Sequence, residues 1–418
     1  MHSSVTTNGN QRTMEDVPLR DIIQKYGSPC YAYSKQAISE NFLAYQQALS
    51  SRNHLICYAV KSNSNIAVLQ TLANLGAGFD IVSVGELERV LIAGGDPAKV
   101  VYSGVAKTAN EMRRALEVGI HCFNVESESE LILLNKTAAE TNQMAPVSLR
   151  VNPDVDAKTH PYISTGLKEN KFGIDISRAY EVYQQAAKMD HISVVGVDCH
   201  IGSQLTDISP FIDAMRHLLL LVDRLAESGI NLKHIDIGGG LGVRYQNEVV
   251  PSLDNYMEAL LPLLEDRHQT LVLEPGRSII ANAGVLLMQV QVIKNNGDKN
   301  FAVVDAAMND MLRPALYDAW MDIKEIEIIS DRTADQYDVV GPVCETGDFL
   351  AKDRTLSIEE GDYLYLSSAG AYGFVMSSNY NSRPRVAEVM IDGNQVHLVR
   401  ARESLEDLFK GEQLIKEQ

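Results

Sequence analysis

Eight short apolar runs between residues 54 and 274, each followed by an amphipathic helical stretch, predict a closed (β/α)8 TIM barrel. After about Asn282 the pattern changes to strands without helices, which predicts a second, β-rich domain. Length agrees with two domains: 418 residues exceed what one hydrophobic core supports, roughly 250–300 residues. An open doubly wound sheet shares the alternation, but eight repeats of similar period favour closure.

The strands are read at Leu55–Ala59, Phe79–Val82, Val100–Ser103, Cys122–Val125, Val147–Val151, Val194–Cys199, His234–Ile237 and Leu271–Leu273. The intervening helices carry start and stop signals. Ser83 with Glu86 and Ser127 with Glu130 have the spacing of capping boxes. Gly76, Gly94, Gly119 and Gly229 fall where helix C-caps belong. In the second domain, Val285–Lys294, Phe301–Asp305, Tyr337–Val343, Tyr363–Ser367 and Arg385–Arg400 read as strands of an antiparallel β-sandwich or barrel, with a hairpin turn at Asp392-Gly393. The segment Val17–Ser34 could join either domain. The expected partition is a disordered tail over 1–13, a barrel over 35–283, and a β-rich domain formed by 14–34 plus 284–418.

A formal charge of −18 argues against nucleic acid or an anionic membrane as partner, while leaving room for a local anion pocket. No apolar stretch approaches the ~18 residues of a membrane span. The polar N-terminus lacks an apolar signal core, so the cytoplasm is the default expectation. Five cysteines without a CxxC spacing read neither as a disulfide framework nor as a zinc site. Cys57, Cys122 and Cys199 lie in apolar runs and are expected in the core.

In a barrel of this kind the chemistry sits at the C-terminal ends of the strands. Lys61 follows the apolar run Leu55–Val60, an uncomfortable place for an ammonium group unless it has work to do. A lysine so placed is a candidate Schiff-base nucleophile; otherwise its stem packs and its head reaches water. Gly238-Gly239-Gly240-Leu241-Gly242 follows the seventh strand, where successive backbone N–H groups can form a phosphate nest. Glu274 ends the eighth strand within Glu-Pro-Gly-Arg, residues 274–277, as a base, a metal ligand, a partner for a protonated ring nitrogen, or simply an ion pair for Arg277. No second acid or histidine has metal-like spacing nearby, so no metal site is expected. His200, opening His-Ile-Gly-Ser-Gln after the sixth strand, offers a flat ring for stacking. Lysine, phosphate nest, flat ring and carboxylate together suit pyridoxal 5′-phosphate (PLP).

With those residues in view, the chain resembles the PLP-dependent decarboxylases with an alanine-racemase-like barrel, and among them the diaminopimelate decarboxylases. The resemblance covers almost everything after about residue 14. It rests on Tyr58-Ala59-Val60-Lys61-Ser62-Asn63, His160 to Gly166, Lys171-Phe172-Gly173, His200 to Gln204, Gly238 to Gly242, Glu274 to Arg277, Met308 to Tyr317, Gly341 to Asp348 and Ala371-Tyr372-Gly373. It implies that Lys61 holds PLP, that His200 stacks on its ring, and that Ser203 with Gly238, Gly239 and Gly240 binds the phosphate. Glu274 would pair with the pyridine nitrogen, and Gly276 and Arg277 would border the cofactor. Arg277, Arg313 and Tyr317 would grip the substrate's non-reacting carboxylate, Glu345 its amino group, and Tyr372 both cofactor and substrate. Cys344 would be the proton donor, supplied by the other subunit of a homodimer.

The implied reaction is decarboxylation of meso-2,6-diaminopimelate at its D-centre to L-lysine and CO2, the last step of lysine biosynthesis. An ornithine or arginine decarboxylase would have no distal carboxylate for Arg277, Arg313 and Tyr317 to read. An amino-acid racemase of this architecture would place arginine where Glu274 stands. A non-catalytic homologue would have lost Lys61 or Cys344, and both are present.

Overall fold

The computed structural model describes residues 4–156 and 171–416; the His160 to Gly166 motif lies outside them. The chain divides into two units: Met1–Ala37 with Tyr245–Asn247 and Ile280–Gln418, and Ile38–Arg244 with Glu248–Ile279.

The second of these is a closed barrel of eight parallel strands: β1 His54–Ala59, β2 Gly78–Ile81, β3 Val100–Tyr102, β4 Cys122–Val125, β5 Ala145–Asn152, β6 Ile192–Asp198, β7 His234–Asp236 and β8 Thr270–Leu273. Each pairs with the next, and Leu271–Leu273 of β8 pairs with His54–Ile56 of β1 to close the ring. The apolar runs form these strands because both faces are covered: Phe79, Val100, Val101, Phe123, Val147 and Val272 are all fully buried. A bulge between Val194 and Gly196 interrupts the β5–β6 ladder.

At the helix starts, Ser83 and Ser127 each accept from the N3 amide as expected. Their glutamates do not reciprocate, because Glu86 and Glu130 instead accept from the amides of Val82 and Glu126, 2.7 and 3.2 Å away. The reciprocal capping box lies at Thr108 and Glu111, opening the helix Ala109–Val118.

The other unit is a mostly antiparallel sheet built on the 13-residue strand Gly284–Asn296, which pairs antiparallel with Cys30–Ser34, Lys299–Val304 and Tyr363–Leu366. Two pairings are parallel, Cys30–Ser34 with Ala387–Asp392 and Lys299–Val304 with Asp335–Val340. The hairpin at Asp392-Gly393 joins Ala387–Asp392 to Gln395–Arg400. Its core gathers Leu19, Ile22, Cys30, Val285, Leu287 and Val389.

The N-terminal segment corrects the expectation of a disordered tail. Val5–Asn8 pairs with Gln11–Met14 around Gly9, whose φ of +60° suits glycine at the turn. Backbone bonds from Arg12 N to Ile326 O and from Ile328 N to Asn10 O hold it, and Met14 is fully buried. Polar side chains hid this hairpin because main-chain pairing, not apolar burial, secures most of it.

Replacing Thr108 by alanine removes the side-chain acceptor for the Glu111 amide, and is expected to destabilise the barrel by about 1 kcal/mol. Urea unfolding followed by circular dichroism checks this, with Thr108→Ser retaining the wild-type midpoint.

Candidate active site

Several polar groups lie at the C-terminal ends of the barrel strands. After Ala59 the chain forms a 3-10 turn, Val60–Ser62, so Lys61 sits on that turn rather than directly on the strand. Its ammonium donates to Asp80 Oδ2 at 2.6 Å. Asp80 lies beside Ala59 in the β1–β2 register and is fully buried, whereas the Lys61 side chain remains 35% exposed.

The glycine run after β7 is tied down from three sides. Gly238 N donates to Asp236 Oδ1 at 2.8 Å, Gly239 N donates to His200 Nδ1 at 3.2 Å, and Glu274 N donates to Gly238 O at 2.8 Å. Only hydrogen fits at these α-carbons: a Cβ on Gly239 would lie 2.2 Å from the Glu274 carbonyl oxygen, and one on Gly240 2.4 Å from that of Gly202. Because His200 Nδ1 accepts, the imidazole is neutral. Burial, with Arg150 and Lys61 nearby, pushes its pKa well below the usual histidine value. Ser203 Oγ accepts from Arg277 Nε and Nη2, at 3.2 and 3.0 Å. Gly276 packs against Ala59 and Ser62, where a Cβ would come within 3.0 Å of both.

Glu274 is 5% exposed and accepts from Asn124 Nδ2 at 3.2 Å. The sequence offered it no acidic neighbour, yet barrel closure brings Asp198 and Asp236 alongside, with carboxylate oxygens within 4.8 Å of one another. Burial first, then Asp236, Asp80 and Asp198, drives the Glu274 carboxyl well above the usual range, and Lys61 opposes this. Burial likewise raises Asp236 to about 7, against the amide bond from Gly238. Arg150 is the buried counter-charge, 2.7 Å from Glu126 and 3.9 Å from Asp198. Glu126 Oε2 in turn accepts from Gly173 N at 2.8 Å, within the Lys171-Phe172-Gly173 motif.

The remaining candidates belong to the other unit. Arg313, 7% exposed, opens the short helix Arg313–Tyr317, and its guanidinium lies 4.4 Å over the Tyr245 ring. Tyr317 closes that helix. Cys344 is exposed, unlike the four other cysteines. Its turn is braced by Asp348, whose carboxylate accepts from Val343 N and Met308 N at 2.8 and 2.6 Å. Asn381 Oδ1 accepts from Cys344 N at 3.2 Å, and Tyr380 Oη donates to Glu345 Oε1 at 2.5 Å. Tyr372 adopts φ +52°, a conformation a bulky side chain takes only when its surroundings enforce it.

Comparison with known proteins follows the same lines. Residues 35–281 match the family model described as pyridoxal-dependent decarboxylase, pyridoxal binding domain. A diaminopimelate decarboxylase of Pseudomonas aeruginosa is 62% identical over 401 residues, 96% of each chain. One from Vibrio cholerae is 58% identical over 405 residues, 96% of this chain and 97% of the relative. The chain belongs to the diaminopimelate decarboxylases. The crystal structure of the Helicobacter pylori family member, complexed with L-lysine, superposes with a TM-score of 0.90 at 43% identity, covering 94% of this chain and 98% of that one.

The family's cofactor is PLP, and the barrel mouth fits it. Gly240 packs against the Gly202 carbonyl next to Ser203, which sets a backbone amide and a hydroxyl side by side for a phosphate, and the crowd of buried carboxylates around Glu274 suits a cationic ring nitrogen. Lys61 stands at the same mouth with part of its side chain open to solvent. Sequence reasoning missed Asp80, Asp198, Asp236, Asn124 and Arg150. The signal available was a polar residue inside each otherwise apolar strand run.

Two outcomes test this geometry. Gly239→Ala should weaken PLP binding at least tenfold, seen by absorbance titration of a protein with unchanged circular dichroism. For Asp236, a carboxyl raised from 3.8 to about 7 binds its proton more tightly in the folded state. Its stabilising contribution is therefore full below 3.8 and lost as pH rises through about 7. The wild-type apoprotein should lose stability relative to Asp236→Asn across that window, measured by urea midpoints; parallel curves would refute the assignment.

Proposed function

We propose that Lys61, Glu274 and Cys344 carry the decarboxylation of meso-2,6-diaminopimelate at its D-centre, yielding L-lysine and CO2. What carries this reading is the convergence of Lys61, the glycine nest and the acid-surrounded Glu274 at one end of the barrel. PLP, when bound, supplies the electron sink that lets the bond to the departing carboxylate break.

Lys61 would hold the cofactor at its aldehyde carbon. The short bond to Asp80 fixes where its nitrogen starts. Glu274 keeps a proton on the ring nitrogen, and the neighbouring acids reinforce that role by making positive charge favourable there. His200 presents a neutral ring face, locked by the Gly239 amide. Ser203 and the Gly240 amide would bind the phosphate, with Gly238 and Gly239, whose amides already donate to Asp236 and His200, shaping the turn behind it; Arg277, which donates to Ser203, borders cofactor and substrate.

Arg277, Arg313 and Tyr317 grip the distal carboxylate; two planar guanidinium forks and a phenol suit a carboxylate better than a single ammonium does. Glu345, oriented by Tyr380, reads the distal amine, and Tyr372 contacts both cofactor and substrate. Cys344 returns a proton to the α-carbon, and its exposed thiol fits a donor supplied to the partner subunit of a homodimer. The chain's partners are this small-molecule substrate and a second copy of itself; its −18 charge speaks against nucleic acid. The cytoplasm suits a chain in which no helix among the described residues is long and apolar enough to cross a membrane.

The purified protein should release CO2 from meso-diaminopimelate and none from ornithine. Lys61→Ala should abolish borohydride-stable PLP attachment and turnover together. Mixing inactive Lys61→Ala and Cys344→Ala proteins should restore about a quarter of wild-type activity, since half the dimers then hold one intact site of two. No recovery in a demonstrably exchanging mixture would exclude the shared site.

A further inference from the structure

At the opposite, N-terminal end of the barrel strands, three side chains that the reaction does not use come together. His121 immediately precedes β4, Cys122 is the first residue of β4, and His234 is the first residue of β7. The His121 Nδ1 atom lies 3.2 Å from the Ala98 carbonyl oxygen, so that nitrogen carries the proton. Its Nε2 lone pair is buried and has no hydrogen-bond partner. His234 is 3% exposed, and its Nε2 lies 3.9 Å from Cys122 Sγ. The two imidazole rings are 5.2 Å apart at 41°.

The space is shaped for the His234 ring. Gly196 of β6 pairs with His234 in register, and a Cβ there would fall 2.0 Å from His234 Nε2. The glycine thus gives its side-chain volume to the imidazole and holds it beside the thiol. The three donor atoms lie within 4.8 Å of one another.

We propose that His121, Cys122 and His234 bind one divalent cation of the zinc class across the floor of the barrel. Two imidazole nitrogens and a sulfur select a borderline-soft ion over Mg2+ or Ca2+, which take oxygen ligands. Tetrahedral zinc, with bonds of about 2.0 Å to nitrogen and 2.3 Å to sulfur, places its donors about 3.5 Å apart. The Cys122–His234 pair is already close to that spacing, and the half-buried His121 ring reaches it by a small rotation. Binding exchanges the thiol proton, now directed at Asn124 Oδ1 3.6 Å away, for a metal–sulfur bond, and that proton leaves to water. A water completes the fourth position. The ion links β4 to β7, strands that no ladder joins, and so acts as a staple distinct from the PLP site. Cys122, read from the sequence as a core residue, becomes a ligand.

Co2+ titration of the holoenzyme tests this, because tetrahedral cobalt absorbs at longer wavelengths than PLP. The expected result is one equivalent bound per chain with intense d–d bands, and a rise in Tm with Zn2+. Both should disappear in His121→Ala and in Cys122→Ser while decarboxylation is retained, and both should survive in Cys344→Ala. Absent or weak octahedral bands in the wild type would overturn the proposal. So would bands that persist in both floor variants, or that vanish only with Cys344→Ala, which would place the metal at the exposed thiol.

Discussion

Barrel closure forces acids together that the sequence keeps far apart, and the mouth of the barrel is organised around that repulsion. Asp80, Asp198, Asp236 and Glu274 come from four different strand ends and are at most 5% exposed. Unpaired buried carboxylates cost several kcal/mol each, so the fold must provide cations, protons or hydrogen bonds for every one. Lys61 is held at 2.6 Å from Asp80, Arg150 stands between Glu126 and Asp198, and the Gly238 amide answers Asp236. Burial raises the Asp236 and Glu274 carboxyls instead of leaving every charge in place. A ring nitrogen carrying positive charge meets an environment already biased toward it. The electrostatics that complicate folding are those that favour the cofactor.

Backbone geometry carries the second half of the design. The loops after β6, β7 and β8 are stitched to one another: Leu205 N donates to Gly240 O, Gly242 N to Leu205 O, and Glu274 N to Gly238 O. Side chains would separate these strands of backbone, which is why the run at 238–242 is rich in glycine. Gly196 obeys the same logic at the barrel floor, yielding its volume to the His234 ring. In both places a missing Cβ marks where something else must fit.

Much of this was legible in advance because a parallel barrel strand must be apolar on both faces, which makes short hydrophobic runs countable. Lys61, His200, the glycine run and Glu274 were legible for the converse reason: they break the apolar pattern at strand ends. Asp80, Asp198 and Asp236 were not, since a single acid inside a strand reads as noise until closure supplies its neighbours. The hairpin Val5–Met14 was hidden by its polar side chains, and the capping box at Thr108 by a more conspicuous serine on either side. Several strands of the β-rich unit could be read, but Phe349–Leu356 could not, and neither could the partners. Nothing in Cys30–Ser34 announces that it runs parallel to Ala387–Asp392 and antiparallel to Gly284–Asn296.

Two lysines show why position after a barrel strand does not decide a role by itself. Lys107 follows β3 as Lys61 follows β1, and both ammonium groups meet a carboxylate at 2.6 Å. Lys107 also donates to the carbonyls of Gly104 and Asn124, both at 2.8 Å, so its three N–H groups are spent and its side chain is 1% exposed. Such a group pins Glu130 and the loop around it, and no carbonyl carbon can reach its nitrogen. Lys61 keeps 35% of its side chain exposed at the mouth, against an Asp80 that is entirely enclosed. The acid fixes the amine's position while part of the Lys61 side chain reaches solvent. Access, rather than charge or pairing, separates Lys61 from the structural Lys107.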